Sequence, residues 1–147
     1  MTAAGSTAQF LVIDHHPESR FLLVKSLLRK FPDARIEEVD EGERAIELAG
    51  RTDLSAIITH RTQEYLGAEL VTRLRSVNRR VPIVMVSGAD RTSAALSAGA
   101  DRFMLYDEWL RIGTIVQELL QATRNKRVVR SGARSGTSAA TEPPQRA

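Results

Sequence analysis

The segment FLVIDHHPES, Phe10 to Ser19, runs from an apolar stretch straight into an acid and two imidazoles, Asp14, His15 and His16. A carboxylate beside imidazoles is a donor set for a divalent metal. A third imidazole, His60, follows the apolar run Ala56 to Thr59, whose last residue carries a hydroxyl. Ser87 and Tyr106 likewise close apolar runs, so acid, imidazole, hydroxyl and phenol groups each sit where a strand would give way to a loop. If those ends lie together, His60 could join Asp14 and His15 around a transition metal. The plainer reading makes His15 and His16 exposed loop residues and Asp14 the cap of a helix beginning near Pro17, with Ser87 a satisfied polar group.

Five short apolar runs have the length of strands: QFLVID (9–14), RIEEV (35–39), SAIIT (55–59), VPIVMV (81–86) and RFMLY (102–106). The first, third and fourth are nearly continuous in apolar character, as parallel strands buried on both faces must be, whereas Arg35, Glu37 and Glu38 mark the second as an edge. Helical patterns lie between them. Phe21, Val24, Leu28 and Phe31 recur at helical spacing after Pro17, and Pro32 stops the run. Segments 43–49, 68–77 and 92–98 end at or near Gly50, Asn78 and Gly99, each a residue suited to a helix C-terminus. A last helix, 108 to about 125, would bury Leu110, Ile115, Val116, Leu119 and Leu120, with Gly113 weakening its middle turn. Strands alternating with helices imply right-handed crossovers and a doubly wound, five-stranded parallel α/β sheet, whose chemistry gathers at the carboxyl ends of the strands.

Over residues 9–122 the motifs resemble the receiver domains of two-component response regulators, with their flavodoxin-like (CheY-like) fold and strand order 2-1-3-4-5. FLVID with its polar loop resembles their first unit, GAELVTRLR the start of their third helix, VPIVMVSGA their fourth strand, and SAGADRFML the entry to their fifth. The resemblance implies two adjacent acids after strand one for magnesium, an aspartate ending strand three as phosphoryl acceptor, a Ser or Thr ending strand four and a lysine ending strand five. Asp14 matches the first acid, but His15 stands in place of the second. Ser87 matches the hydroxyl, Tyr106 replaces the lysine, and Asp107 replaces the proline after it. At the acceptor position stands Thr59, counting back from Gly67, or His60, aligning the apolar run. Neither is a carboxylate. Magnesium wants oxygen ligands and phosphoryl transfer wants charge neutralisation, so Asp14 alone is a weak metal candidate and the expected site is a degenerate phosphorylation pocket of Asp14, His15, Thr59, His60, Ser87 and Tyr106, with no cofactor.

Composition bounds the alternatives. The 147 residues, 42% hydrophobic, suit one domain with a real core. The absence of cysteine excludes disulfides and thiolate metal sites. No signal peptide and no apolar run of about 18 residues point to a cytoplasmic protein without a membrane span. Residues 124–147 carry six basic residues against Glu142, leaving fifteen basic and seventeen acidic residues before them. That tail lacks large apolar groups after Val129, so disorder is expected from about there. The expected division is a flexible 1–8, a receiver-like domain 9–123 and a basic, disordered tail 124–147.

The functional expectation is a stand-alone pseudo-receiver, not an enzyme, that binds a protein partner in bacterial two-component signalling without being phosphorylated. Phe103, Tyr106, Trp109 and Arg111 form its expected interaction surface, since the resemblance implies partner or dimer contacts around strand five and helix five, a homodimer included. Nucleic acid is not expected as a partner, because the basic RNKRVVR lacks interleaved aromatics. Two other readings stand beside this one. Thr59 or His60 could be phosphorylated by an atypical route. Alternatively, Asp14-His15-His16 resembles the DHH phosphoesterases, manganese-dependent hydrolases; that resemblance implies further carboxylates from earlier strands and a second domain, whereas 13 residues precede Asp14.

Overall fold

The three runs that are apolar throughout become the three interior strands. The computed structural model describes residues 7–135, so residues 1–6 and 136–147 lie outside the described chain. β1 (Gln9–Ile13), β3 (Ala56–Thr59) and β4 (Ile83–Ser87) are buried almost end to end. β2 (Arg35–Val39) and β5 (Arg102–Leu105) flank them in a single sheet ordered β2-β1-β3-β4-β5, and every pairing is parallel. Arg35, Glu37 and Glu38 are exposed on the edge strand, as their charge requires.

Alternate side chains leave the sheet on opposite faces, which divides the core in two. Leu11, Ile13, Ile57, Ile83 and Met85 pack under α2 (Gly42–Ala49) and α3 (Gly67–Val77), while Phe10, Val12, Ile58, Val84 and Val86 pack under α1 (Pro17–Lys30) and α5 (Ile112–Ser135). Each such side chain contributes about 1.5–3 kcal/mol by leaving water, which is why helices must cover both faces. α4 (Thr92–Ala98) closes the second edge and ends at Gly99, whose φ of 115° lets its amide reach Leu96 O at 3.1 Å and Ala100 N reach Ala95 O at 3.0 Å. A side chain at that φ would be strained.

Three local expectations are corrected. The buried stripe of α1 is Ser19, Leu23, Ser26 and Leu27, whereas Phe21 and Leu28 face solvent. The chain after β5 forms a 3-10 segment, Tyr106–Arg111, before α5 begins, and this turns Leu110 outward to 61% exposure. α5 then runs to Ser135, well past Asn125, so the first part of the basic tail is helical. Arginine and lysine are good helix formers, a preference that does not depend on burial.

Gly113 lies in the first turn of α5, and it is a contact, not a flaw. A Cβ there would lie 2.7 Å from Lys30 Cβ and 3.3 Å from the Ser26 carbonyl oxygen, so the glycine sets how closely α1 and α5 approach. Gly113→Ala should therefore lower unfolding free energy by about 1–2 kcal/mol in urea denaturation, although alanine is the better helix former by about 1 kcal/mol. A variant more stable than the parent would show that the two helices part freely.

Candidate functional site at the strand ends

The register of the sheet carries the ends of β1, β3 and β5 to one edge. Ile13 pairs with Thr59 and Thr59 with Met85, so Asp14 and His60 are the next residues out. Their backbones stay in the lattice of the sheet: Asp14 N donates to Val39 O at 3.0 Å and His60 N to Ile13 O at 2.8 Å. Asp14 is fully buried there. A buried carboxylate must find donors, and this one finds three: the Ser19 hydroxyl, the His16 amide at 3.0 Å and the His60 Nδ1 at 3.0 Å. Arg20 adds a 2.6 Å bond from its guanidinium to the Asp14 carbonyl, and pairs with Glu38 on β2 at 3.1 Å.

Burial pushes the Asp14 carboxyl up, but the hydrogen bonds from His60, Ser19 and the His16 amide, with the charge of His60, together outweigh it and hold the group below its ordinary value. The carboxylate is thus ionised, and both its oxygens accept from the protein. The His60 ring, 15% exposed, lies flat against Tyr106 with centroids 5.8 Å apart and planes 7° from parallel. Burial, then the charges of Asp14 and Glu18, pushes the Tyr106 phenol up, so it stays neutral at physiological pH.

The other expected site residues are placed differently. His15 turns its Nδ1 to the Arg61 carbonyl at 3.1 Å, away from Asp14, and its ring leans on His16. Thr59 is fully buried, its hydroxyl donating to the His60 carbonyl at 3.1 Å. Ser87 is half-buried and accepts the Ala89 amide at 3.3 Å. Asp14, His60 and Tyr106 therefore form a contact chain from which His15, Thr59 and Ser87 stand apart. The metal grouping of Asp14, His15 and His60 does not form, and among the described residues no three His, Asp or Glu side chains gather to hold a metal ion.

Sequence reasoning missed Ser19, whose hydroxyl completes the Asp14 shell, and the structure of the loop after β3. Thr62 is fully buried and its hydroxyl accepts the Tyr65 amide at 3.2 Å. Tyr65 packs over Gly42, bonds to Glu43 through its hydroxyl and lies under Arg73, whose guanidinium carbon is 5.2 Å from the ring centroid. Glu64 accepts the Gly42 amide at 2.9 Å, an anion at the start of α2. With His15 N also donating to Arg61 O at 3.1 Å, this loop is tied to both β1 and α2.

On the candidate interaction face, Phe103 is partly buried against the α2–α3 side of the core, and Tyr106 and Trp109 are partly buried against the α1–α5 side. Arg111 is exposed and pairs with Glu108 at 3.2 Å, while Leu96 and Leu110 are the large apolar groups exposed near them in sequence.

A doubly wound sheet with an acid, a hydroxyl and an aromatic at these strand ends is the layout of a signal receiver. Residues 10–107 match the response regulator receiver domain family, and the chain belongs to it. The nitrate/nitrite response regulator protein NarP of Escherichia coli (strain K12) is 30% identical over 104 residues, covering 67% of this chain; the chain thus spans about half of that regulator, 48% of its length. Among solved structures, NtrX from Brucella abortus superposes with a TM-score of 0.74 at 18% identity, covering 92% of this chain and 32% of that one. The receiver domain of the Pseudomonas aeruginosa sensor histidine kinase PA1611, with magnesium coordinated in its active-site cleft, superposes with a TM-score of 0.62 at 22% identity, covering 78% and 98%. Receiver domains are typically signalling modules that interact with proteins rather than enzymes. Among the described residues no helix is long and apolar enough to cross a membrane.

Proposed function

We propose that this receiver is a degenerate one, a pseudo-receiver that binds a signalling protein in a bacterial cytoplasm without being phosphorylated. One observation carries the reading: the carboxylate left at the metal position, Asp14, has its oxygens engaged by Ser19, His16 and His60. The magnesium expected of the family does not fit these residues. His15 replaces the second acid and faces Arg61, and imidazole is a poor ligand for magnesium. No carboxylate ends β3, and the neutral phenol of Tyr106 supplies no positive charge for transferred phosphoryl oxygens.

The His60 ring instead fills the space between Asp14 and Tyr106, and the tied loop after β3 supports a module that holds one arrangement. Its specificity then lies in fixed surface shape, in which Phe103, Tyr106, Trp109 and Arg111 present their exposed parts to a partner or a second copy. The receiver unit is residues 9–123, with the basic segment from 124 onward as an appendage.

Incubation with acetyl phosphate and magnesium, followed by intact mass, should show no added phosphoryl group. A stoichiometric adduct abolished by Thr59→Ala or His60→Ala would replace this reading with atypical phosphorylation at that residue.

A further inference from the structure

We infer that the groove at the amino-terminal end of the sheet, opposite the Asp14 pocket, is a docking site for an acidic segment of a partner protein that also carries apolar side chains. The groove encloses about 1490 Å³ between the end of α1, the loop before β3, the loop before β4 and α5. That exceeds the roughly 300–1,000 Å³ of small-molecule sites and suits a length of chain.

Its chemistry is two-sided. Phe31, Leu54, Val81 and Leu120 give it an apolar floor, and Lys30, Arg79, Arg80 and Arg124, all exposed, stand on its lining against one acid, Asp33. Outside the groove, Arg20, Arg44, Arg51, Arg75, Arg102 and Arg111 are each neutralised by an ion pair, while Arg29, Arg35, Arg61, Arg73 and Arg91 are in none among the described residues and are scattered over the surface. The four groove cations have no such pair among the described residues.

The rim is built in advance. Asn78 donates through its amide nitrogen to Ala49 O at 2.9 Å and Arg51 O at 3.2 Å, and its amide oxygen accepts Arg80 N at 3.1 Å and Val81 N at 3.0 Å. The loop bearing Arg79 and Arg80 is therefore pinned to the end of α2, so a ligand meets its backbone already ordered.

Charge selects an anion, and the floor selects a protein rather than a nucleic acid. Single-stranded nucleic acid binding uses aromatic faces for base stacking, but the one aromatic in the lining, Phe31, is held edge-on to Phe10 with centroids 5.1 Å apart. A peptide that alternates glutamate with leucine satisfies both rim and floor.

The test uses the full chain and a fluorescein-labelled peptide of this alternating kind, followed by anisotropy at low and physiological salt. Saturable binding that weakens with salt is expected, with at least about a tenfold loss in the double variant Arg79→Glu/Arg80→Glu. Arg91→Glu, outside the groove, should bind as the parent does, and both variants should unfold at the parental midpoint. No binding, or binding indifferent to Arg79→Glu/Arg80→Glu, overturns the inference. Equal binding of an all-glutamate peptide, or a single-stranded oligonucleotide that competes as well as the peptide, also overturns it, in favour of a general polyanion surface. Binding seen only after deletion of residues 1–6 overturns it too, because the groove would then hold the chain's own amino terminus.

Discussion

Alanine in place of Asp14 is expected to lower the free energy of unfolding by about 3 kcal/mol, the scale for removing one partner of a buried hydrogen-bonded pair. The carboxylate is fully buried and serves three donors at once, so its loss leaves the His16 amide and the His60 ring without this acceptor and the Ser19 hydroxyl with only its longer bond to the His16 carbonyl at 3.3 Å. Urea denaturation should show the loss as a lower midpoint at unchanged slope. The double variant Asp14→Ala/His60→Ala should lose less than the sum of the single variants, since both remove the same contact. The opposite result is equally informative. A carboxylate buried without sufficient donors carries a desolvation penalty, and removing it would stabilise the fold. An Asp14→Ala variant more stable than the parent would mean that this acid is poised for an external cation, and the pseudo-receiver reading would fail.

The pH dependence follows from the same shell. The Asp14 carboxyl is held below its ordinary value of 3.8 in the folded chain. Its contribution to stability is therefore fully present above the unfolded value and is lost as pH falls through the lower, folded one. Asp14→Asn should flatten that part of the acid limb below about pH 4 while leaving the neutral region parallel to the parent.

What could be read in advance was what repeats along the chain. Continuous apolar runs identify the interior strands because a parallel strand between covered faces has no solvent side, and Gly99 marks the end of α4 because few residues accept its left-handed turn, whereas Gly50 ends α2 with an ordinary right-handed φ of −73°. Phase was harder. α1 carries large apolar residues on two faces, so Phe21 and Leu28 make as good a stripe as Leu23 and Leu27; only the small Ser19 and Ser26 beside the latter mark the face that packs closely. Leu110 faces outward because a 3-10 segment has three residues per turn instead of 3.6, which shifts the side chains within Tyr106–Arg111, while Ile115, Val116 and Leu119 in α5 are buried as their spacing predicts. At the site, Asp14 was legible from its place after β1, but what it bonds to was not. His60 and Asp14 are 46 residues apart and meet only because β1 and β3 are neighbours. Ser19 is close in sequence and carried a readable signal, a hydroxyl one turn into a helix that starts just after an acid.

Tyr65→Ala should cost about 3 kcal/mol or more, the range for deleting a buried aromatic ring, and should also loosen the loop on which the proposed single arrangement rests. The ring belongs to the core cluster under α2 and α3, and it fills the space directly over Gly42, where even a Cβ would collide with it. Its backbone and hydroxyl tie the loop at both ends, to Thr62 within the loop and to Glu43 on α2. Tyr65→Phe separates the contributions: it keeps the packing, removes only the bond to Glu43, and should lose about 1 kcal/mol. In hydrogen exchange, amides of residues 61–66 should gain markedly in rate in Tyr65→Ala and little in Tyr65→Phe, because local opening is governed by the packed ring. If the loop exchanges equally fast in the parent and in Tyr65→Ala, it was never locked, and a single fixed arrangement loses its physical basis. If it is protected in the parent and released in the variant, partner affinity should fall with it, since a surface that must be ordered on binding binds more weakly than one already in place.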